Sequence, residues 1–72
     1  MFYIITPGLG LLTPQGLISY SDDPEVKEFN TSDSALDFAK KSNLDNHLWV
    51  CQDRPFKQLY CIDKTTKEVK TF

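Results

Sequence analysis

The stretch from His47 to Cys61 holds most of the side chains in this chain that could do chemistry. It reads HLWVCQDRPFKQLYC and contains the single histidine, the single tryptophan and both cysteines of the sequence. Imidazole and thiolate groups are the ligands that zinc prefers, and a thiolate beside a histidine can act as a nucleophile. These residue types are therefore compatible with three kinds of site: a metal centre, a disulfide bond and a nucleophilic cysteine.

Strand spacing argues against a metal centre. If the chain is extended from His47 to Cys51, four residues at about 3.3 Å each separate the two side chains by roughly 13 Å. Zinc holds its ligands at only about 2.0–2.3 Å. A nucleophilic thiolate needs its basic partner within about 3 Å. We therefore expect no catalytic residue, no metal and no cofactor, and we expect His47 to lie at the surface end of a loop.

The disulfide depends on the length of one hairpin loop. A four-residue loop over residues 53–56 would place Cys51 opposite Gln58, so that the bond could not form. A five-residue loop over residues 54–58 would bring Cys51 opposite Cys61, and a bond needs the two Cα atoms about 4.4–6.8 Å apart. The first ten residues lack the basic start and unbroken apolar run of a signal peptide. We therefore expect reduced thiols and a cytoplasmic protein.

Hydrophobic periodicity predicts the elements that position these residues. Phe2–Thr6 and residues 17–20 have the composition of strands. A helix then begins at Thr31 or Ser32, with Asp33 in its first turn and an apolar stripe made by Ala35, Leu36, Phe38 and Ala39. After His47 the pattern alternates, which predicts three further strands over residues 48–51, 58–62 and 68–72.

These elements predict one α+β domain over residues 1–72, in the order β-β-α-β-β-β. The short connections make the last three strands antiparallel neighbours, and the single helix is expected to cover one face of the sheet. An edge strand, either Phe2–Thr6 or residues 68–72, would be open to pairing with another chain and so to forming a homodimer.

Charge restricts the class of partner. The net charge of −2 and the pI near 5.1 argue against a general affinity for nucleic-acid backbones. Residues 1–36 carry five acidic side chains and one lysine, whereas residues 37–72 carry seven basic and five acidic ones. An acidic loop in the first half is therefore a candidate docking surface for a basic partner, through Asp22, Asp23, Glu25 and Glu28.

The second candidate surface is the uncovered sheet face with its hairpin tip, through Trp49, Arg54, Phe56 and Tyr60. Tryptophan, tyrosine and arginine are the residue types most enriched at interface hot spots. We therefore expect a small non-enzymatic protein-interaction module of the kind that phages encode. It would dock on a larger protein as an inhibitor, a regulator or an accessory subunit, with no membrane span.

Single-stranded nucleic acid is the alternative partner. Trp49, Phe56 and Tyr60 lie near Arg54 and several lysines in the sequence. Aromatic side chains on a sheet can stack on bases, at about 1–3 kcal/mol per base. The glycine-aromatic signature of RNA-recognition sheets is missing, so this alternative has less support.

Overall fold

A computed structural model describes residues 1–8, 10–53 and 57–72. In these residues one antiparallel sheet and one helix form a small domain, which confirms the predicted α+β class with a helix on one sheet face. The helix α1 spans Ser32–Lys41. The strands are β1 Phe2–Thr6, β2 Gly10–Leu12, β3 Ile18–Ser19, β4 Leu48–Gln52, β5 Lys57–Ile62 and β6 Val69–Thr71.

The spatial order of the strands is β3-β2-β1-β4-β5-β6. The prediction treated residues 10–12 as a connection, but they form β2, which pairs with both β1 and β3. β6 lies at an edge, as one of the two predicted alternatives had it. The other alternative is wrong, because β1 is hydrogen-bonded on both sides, to β2 and to β4.

The helix starts where its cap residue predicts. Thr31 has an extended backbone, and its Oγ1 accepts a hydrogen bond from the amide of Ser34 at 3.1 Å. Asp33 in the first turn and Lys40 and Lys41 in the last turn complement the helix dipole. Ala35 and Ala39 are fully buried, and side chains this small allow α1 to lie close against the sheet.

The core lies between α1 and one face of the sheet. Alternation along the strands sends Ile4 of β1 and Val50 of β4 to this face, and neither side chain has any exposed surface. The other buried members of this cluster are Leu12, Phe29, Ala35, Ala39, Leu48 and Ile62. The backbone of Phe29 holds this residue beside β1, because it exchanges two hydrogen bonds of 2.9 Å with the backbone of Phe2.

Gly10 allows the first three strands to pack closely. A β-carbon at this position would lie 2.6 Å from Cγ2 of Ile18, 2.7 Å from Cε1 of Tyr20 and 2.8 Å from Cγ2 of Thr6. Thr6 is buried, so it has little freedom to move aside. Only a residue without a side chain therefore fits in this part of β2.

Gly10→Ala should destabilise the fold by about 1–3 kcal/mol, because the added methyl group must displace three neighbouring side chains, including that of the buried Thr6. The free energy of unfolding in urea measures the loss. Leu17→Ala is the control, since Leu17 lies in the same hairpin with 65% of its side chain exposed. A Gly10→Ala variant as stable as the wild type would contradict the close packing described above.

Candidate interaction surfaces

The sheet face opposite α1 is the first candidate surface, and we call it the open face. It carries alternate residues of the central strands, and no helix of the described chain lies over it. Its apolar members include Tyr3, Ile5, Leu11, Trp49, Cys51, Cys61 and Phe72. Ile5 and Cys51 are almost completely buried, so the middle of this face is as tightly packed as the core.

An aromatic pair stands on the open face. The rings of Trp49 and Phe72 meet edge to face, with their centroids 5.3 Å apart and their planes at 83°. The amide of Phe72 donates to the carbonyl oxygen of Leu59 at 3.2 Å, which attaches Phe72 to β5. Phe72 is nevertheless 64% exposed. A large apolar ring held in place and left open to solvent is typical of a contact surface.

The register of the β4–β5 hairpin keeps the two cysteines apart. Trp49 lies opposite Cys61, but after Val50 the pairing shifts, and Cys51 lies opposite Gln58. This is the pairing expected for a four-residue loop over residues 53–56. The two thiols are therefore unpaired, as expected, with Cys51 buried and Cys61 half-buried.

The predicted surface of Trp49, Arg54, Phe56 and Tyr60 is assembled only in part. Trp49 lies on the open face, whereas Tyr60 lies opposite Val50 and packs against the core beneath α1. Arg54 and Phe56 fall outside the described residues. Phe72 was missed, although its place at the end of an alternating strand pattern is a signal that could have found it.

The acidic loop is exposed, as its composition predicts. Asp22, Asp23, Glu25 and Glu28 all face solvent, and none forms an ion pair within the described part of the chain. Lys27 is turned away from them, since its Nζ lies 5.6 Å and 5.5 Å from the ring centroids of Phe29 and Phe38. Residues 22–28 thus have four carboxylates and one lysine, for a net charge of −3.

His47 lies at the surface just before β4, as predicted. Its side chain is about half exposed, its Nδ1 accepts from the amide of Lys64 at 3.4 Å, and Oδ2 of Asp63 is 3.9 Å away. The amides of Thr66 and Thr65 donate to Asp63, and they lower the pKa of its carboxyl group. Among the described residues, no three acidic, histidine or cysteine side chains are grouped as a metal ion would require.

Comparison of the chain with family models, curated proteins and solved structures found no match. The described residues form a single helix, α1, which is too short and too polar to cross a membrane.

Burial makes the two thiols chemically different. Desolvation raises the pKa of Cys51 to about 11 from an ordinary value of 9.0. In native protein at pH 8, a thiol-alkylating reagent should therefore modify Cys61 first and reach Cys51 only on unfolding. Mass spectrometry of Cys51→Ala and Cys61→Ser, each with one thiol left, separates the two rates. Equal rates in the two variants would contradict the burial of Cys51.

The same shift predicts a dependence of stability on pH. The folded protein keeps the Cys51 proton more tightly than the unfolded chain does, so this contribution is complete below pH 9 and is lost as pH rises towards 11. The free energy of unfolding should consequently fall less steeply over this window in Cys51→Ala than in the wild type. Comparing the two slopes removes the contribution of other groups that titrate there.

Proposed function

We propose that this chain is a small non-enzymatic protein-interaction module, which docks on a larger protein as an inhibitor, a regulator or an accessory subunit. The observation that supports this most directly is the exposed aromatic pair of Trp49 and Phe72 on the open face. Aromatic anchors of this type carry a large share of the binding energy in protein interfaces.

The surroundings of this pair resemble the arrangement of a protein interface. The rings stand beside a rigid, buried centre that includes Ile5 and Cys51. Lys70 lies opposite Cys61 on the edge strand β6, and it is exposed to solvent. Interfaces typically combine an apolar centre with a polar rim, so the open face has both parts of a docking surface.

A cytoplasmic setting is part of this proposal. Cys51 and Cys61 are both unpaired, and the hairpin register holds Cys51 opposite Gln58 instead of opposite Cys61. Thiols in this state are typical of a reducing compartment. The mass of the purified protein should be the same with and without reductant.

Phe72→Ser should weaken capture of the partner from a lysate of the source cells by at least about tenfold, because it removes half of the aromatic pair. Trp49 is left unchanged, since it is half-buried and its loss would disturb the sheet. Tyr20→Ser is the matched control: Tyr20 is 61% exposed, close to the 64% of Phe72, but it follows β3 at the opposite edge of the sheet from this pair.

The readout is one protein captured in a stoichiometric amount by the wild type and by Tyr20→Ser. Its recovery in equal amount with Phe72→Ser would contradict the role of the open face, and recovery of no such protein would contradict docking on a larger partner. A second copy pairing along the open edge of β6 is the other protein partner to consider. Sedimentation of the purified chain as a dimer would identify that arrangement.

Single-stranded nucleic acid is the competing occupant of Trp49. The stacking surface that the sequence predicts is divided, because Trp49 and Tyr60 lie on opposite faces of the sheet. We therefore expect Trp49 fluorescence to stay unchanged when oligonucleotides are added at low salt. Salt-dependent quenching would favour nucleic acid over protein as the partner.

A further inference from the structure

His47 connects the centre of the sheet to the turn that joins β5 to β6. Its carbonyl oxygen accepts the 2.7 Å hydrogen bond from Oγ1 of Thr6, the last residue of β1, and Thr6 is buried. Its imidazole ring reaches Asp63 and Lys64 at the start of the turn. Because the backbone of His47 is held at β1, a change in the hydrogen bonding of the ring has to be met by the ring and the turn.

One ring nitrogen, Nδ1, has two neighbours of opposite hydrogen-bonding character. The backbone amide of Lys64 lies 3.4 Å away and can only donate. Oδ2 of Asp63 lies 3.9 Å away, and in an ionised carboxylate it can only accept. A neutral imidazole can accept at Nδ1, whereas a protonated imidazole can only donate there. The protonation state of His47 therefore determines which of the two neighbours Nδ1 can bind.

The carboxylate of Asp63 is charged over the whole range in which an imidazole titrates. The amides of Thr66 and Thr65 donate to its Oδ1 at 2.9 and 2.7 Å. These two bonds are the main cause that lowers the pKa of Asp63 below its ordinary value of 3.8. An imidazole gains its second proton between about pH 8 and pH 5, where Asp63 is consequently ionised. The same two bonds hold this carboxylate in the turn.

Three other titratable groups lie around the ring. Tyr20, Asp45 and Lys64 share with His47 the lining of a shallow cavity of about 190 Å³. The ammonium group of Lys64 opposes a positive charge on the ring, but this side chain is exposed to solvent. Among the described residues, Asp63 is the one carboxylate within 4.0 Å of a ring nitrogen of His47. Asp45 is the rival acceptor, because it lines the same cavity.

We propose that His47 is a pH-dependent switch that exchanges hydrogen-bond partners in the β5–β6 turn. In the neutral state the ring carries its proton on Nε2, and Nδ1 accepts from the amide of Lys64. When the ring takes up a proton from solvent, Nδ1 releases this amide, rotates towards Asp63 and donates to Oδ2.

The exchange requires only a small movement. A charge-assisted hydrogen bond brings Nδ1 and Oδ2 about 1 Å closer than their present 3.9 Å, which a rotation of the ring can supply. The released amide of Lys64 is exposed, so water replaces the imidazole as its acceptor. The turn that leads into the edge strand β6 is thus attached to His47 by a neutral hydrogen bond in one state and by an ion pair in the other.

The test is NMR spectroscopy of the isotope-labelled chain at low temperature, at about pH 8 and about pH 5. At the higher pH, we expect the nitrogen chemical shifts of His47 to show hydrogen on Nε2 and none on Nδ1. At the lower pH, we expect a proton on Nδ1 that is protected from exchange with water. The amide proton of Lys64 should change its chemical shift as His47 becomes protonated.

Variants separate the carboxylate of Asp63 from the other groups at the ring. Asp63→Asn keeps an oxygen that can accept from the two threonine amides but removes the charge, so the protected Nδ1 proton should be lost. Asp45→Asn is the matched control and should leave that proton unchanged. His47→Gln should make the amide shift of Lys64 independent of pH over this range. Thermal unfolding of each variant shows that the fold is kept.

Three results would overturn the proposal. A neutral His47 with its proton on Nδ1 would be unable to accept from the amide of Lys64. A proton on Nδ1 that exchanges freely with water at the lower pH would show that the ring does not bind Asp63. Loss of the protected proton in Asp45→Asn, with its retention in Asp63→Asn, would assign it to the other carboxylate. None of these results depends on the open face, so docking there is tested independently.

Discussion

The pairing of β1 with β4 is the interaction on which the rest of the fold depends. It joins strands that lie far apart in the sequence, with Phe2 opposite Gln52 and Ile5 opposite Trp49. Through it the first three strands and the last three become one sheet, and α1 packs on the same two strands. Thr6 extends the link beyond the strand, since its Oγ1 donates to the carbonyl oxygen of His47 at 2.7 Å. Ordering so much intervening chain is entropically costly, and burial of the core between these strands and α1 offsets that cost.

This pairing also decides which side chains face outward. With Ile4 opposite Val50 under the helix, their neighbours Ile5 and Trp49 must lie on the open face. A slip of one residue would exchange the two sets, so the burial of Ile4 and Val50 fixes the register. The same register continues into β5, where Tyr60 faces the core because it lies opposite Val50, and Cys61 lies opposite Trp49, away from Cys51.

The open face and the acidic loop differ in character. The open face is aromatic and is built on paired strands of the sheet. The acidic loop carries four exposed carboxylates and belongs to neither the sheet nor the helix. A contact through the open face should depend mainly on apolar burial, whereas one through the acidic loop should weaken as salt screens the charges.

The sequence by itself determined the elements that local interactions build. The helix begins at the Thr31 cap because that hydrogen bond lies within one turn, and Ala35 and Ala39 face inward because helical periodicity places them together. The alternation after Leu48 likewise predicted strands. Only the tertiary structure decided that Gly10–Leu12 is a strand, that β1 is central, and that Trp49 and Tyr60 face opposite ways. A strand has no hydrogen bonds of its own, so its neighbours and register depend on residues far away in the chain.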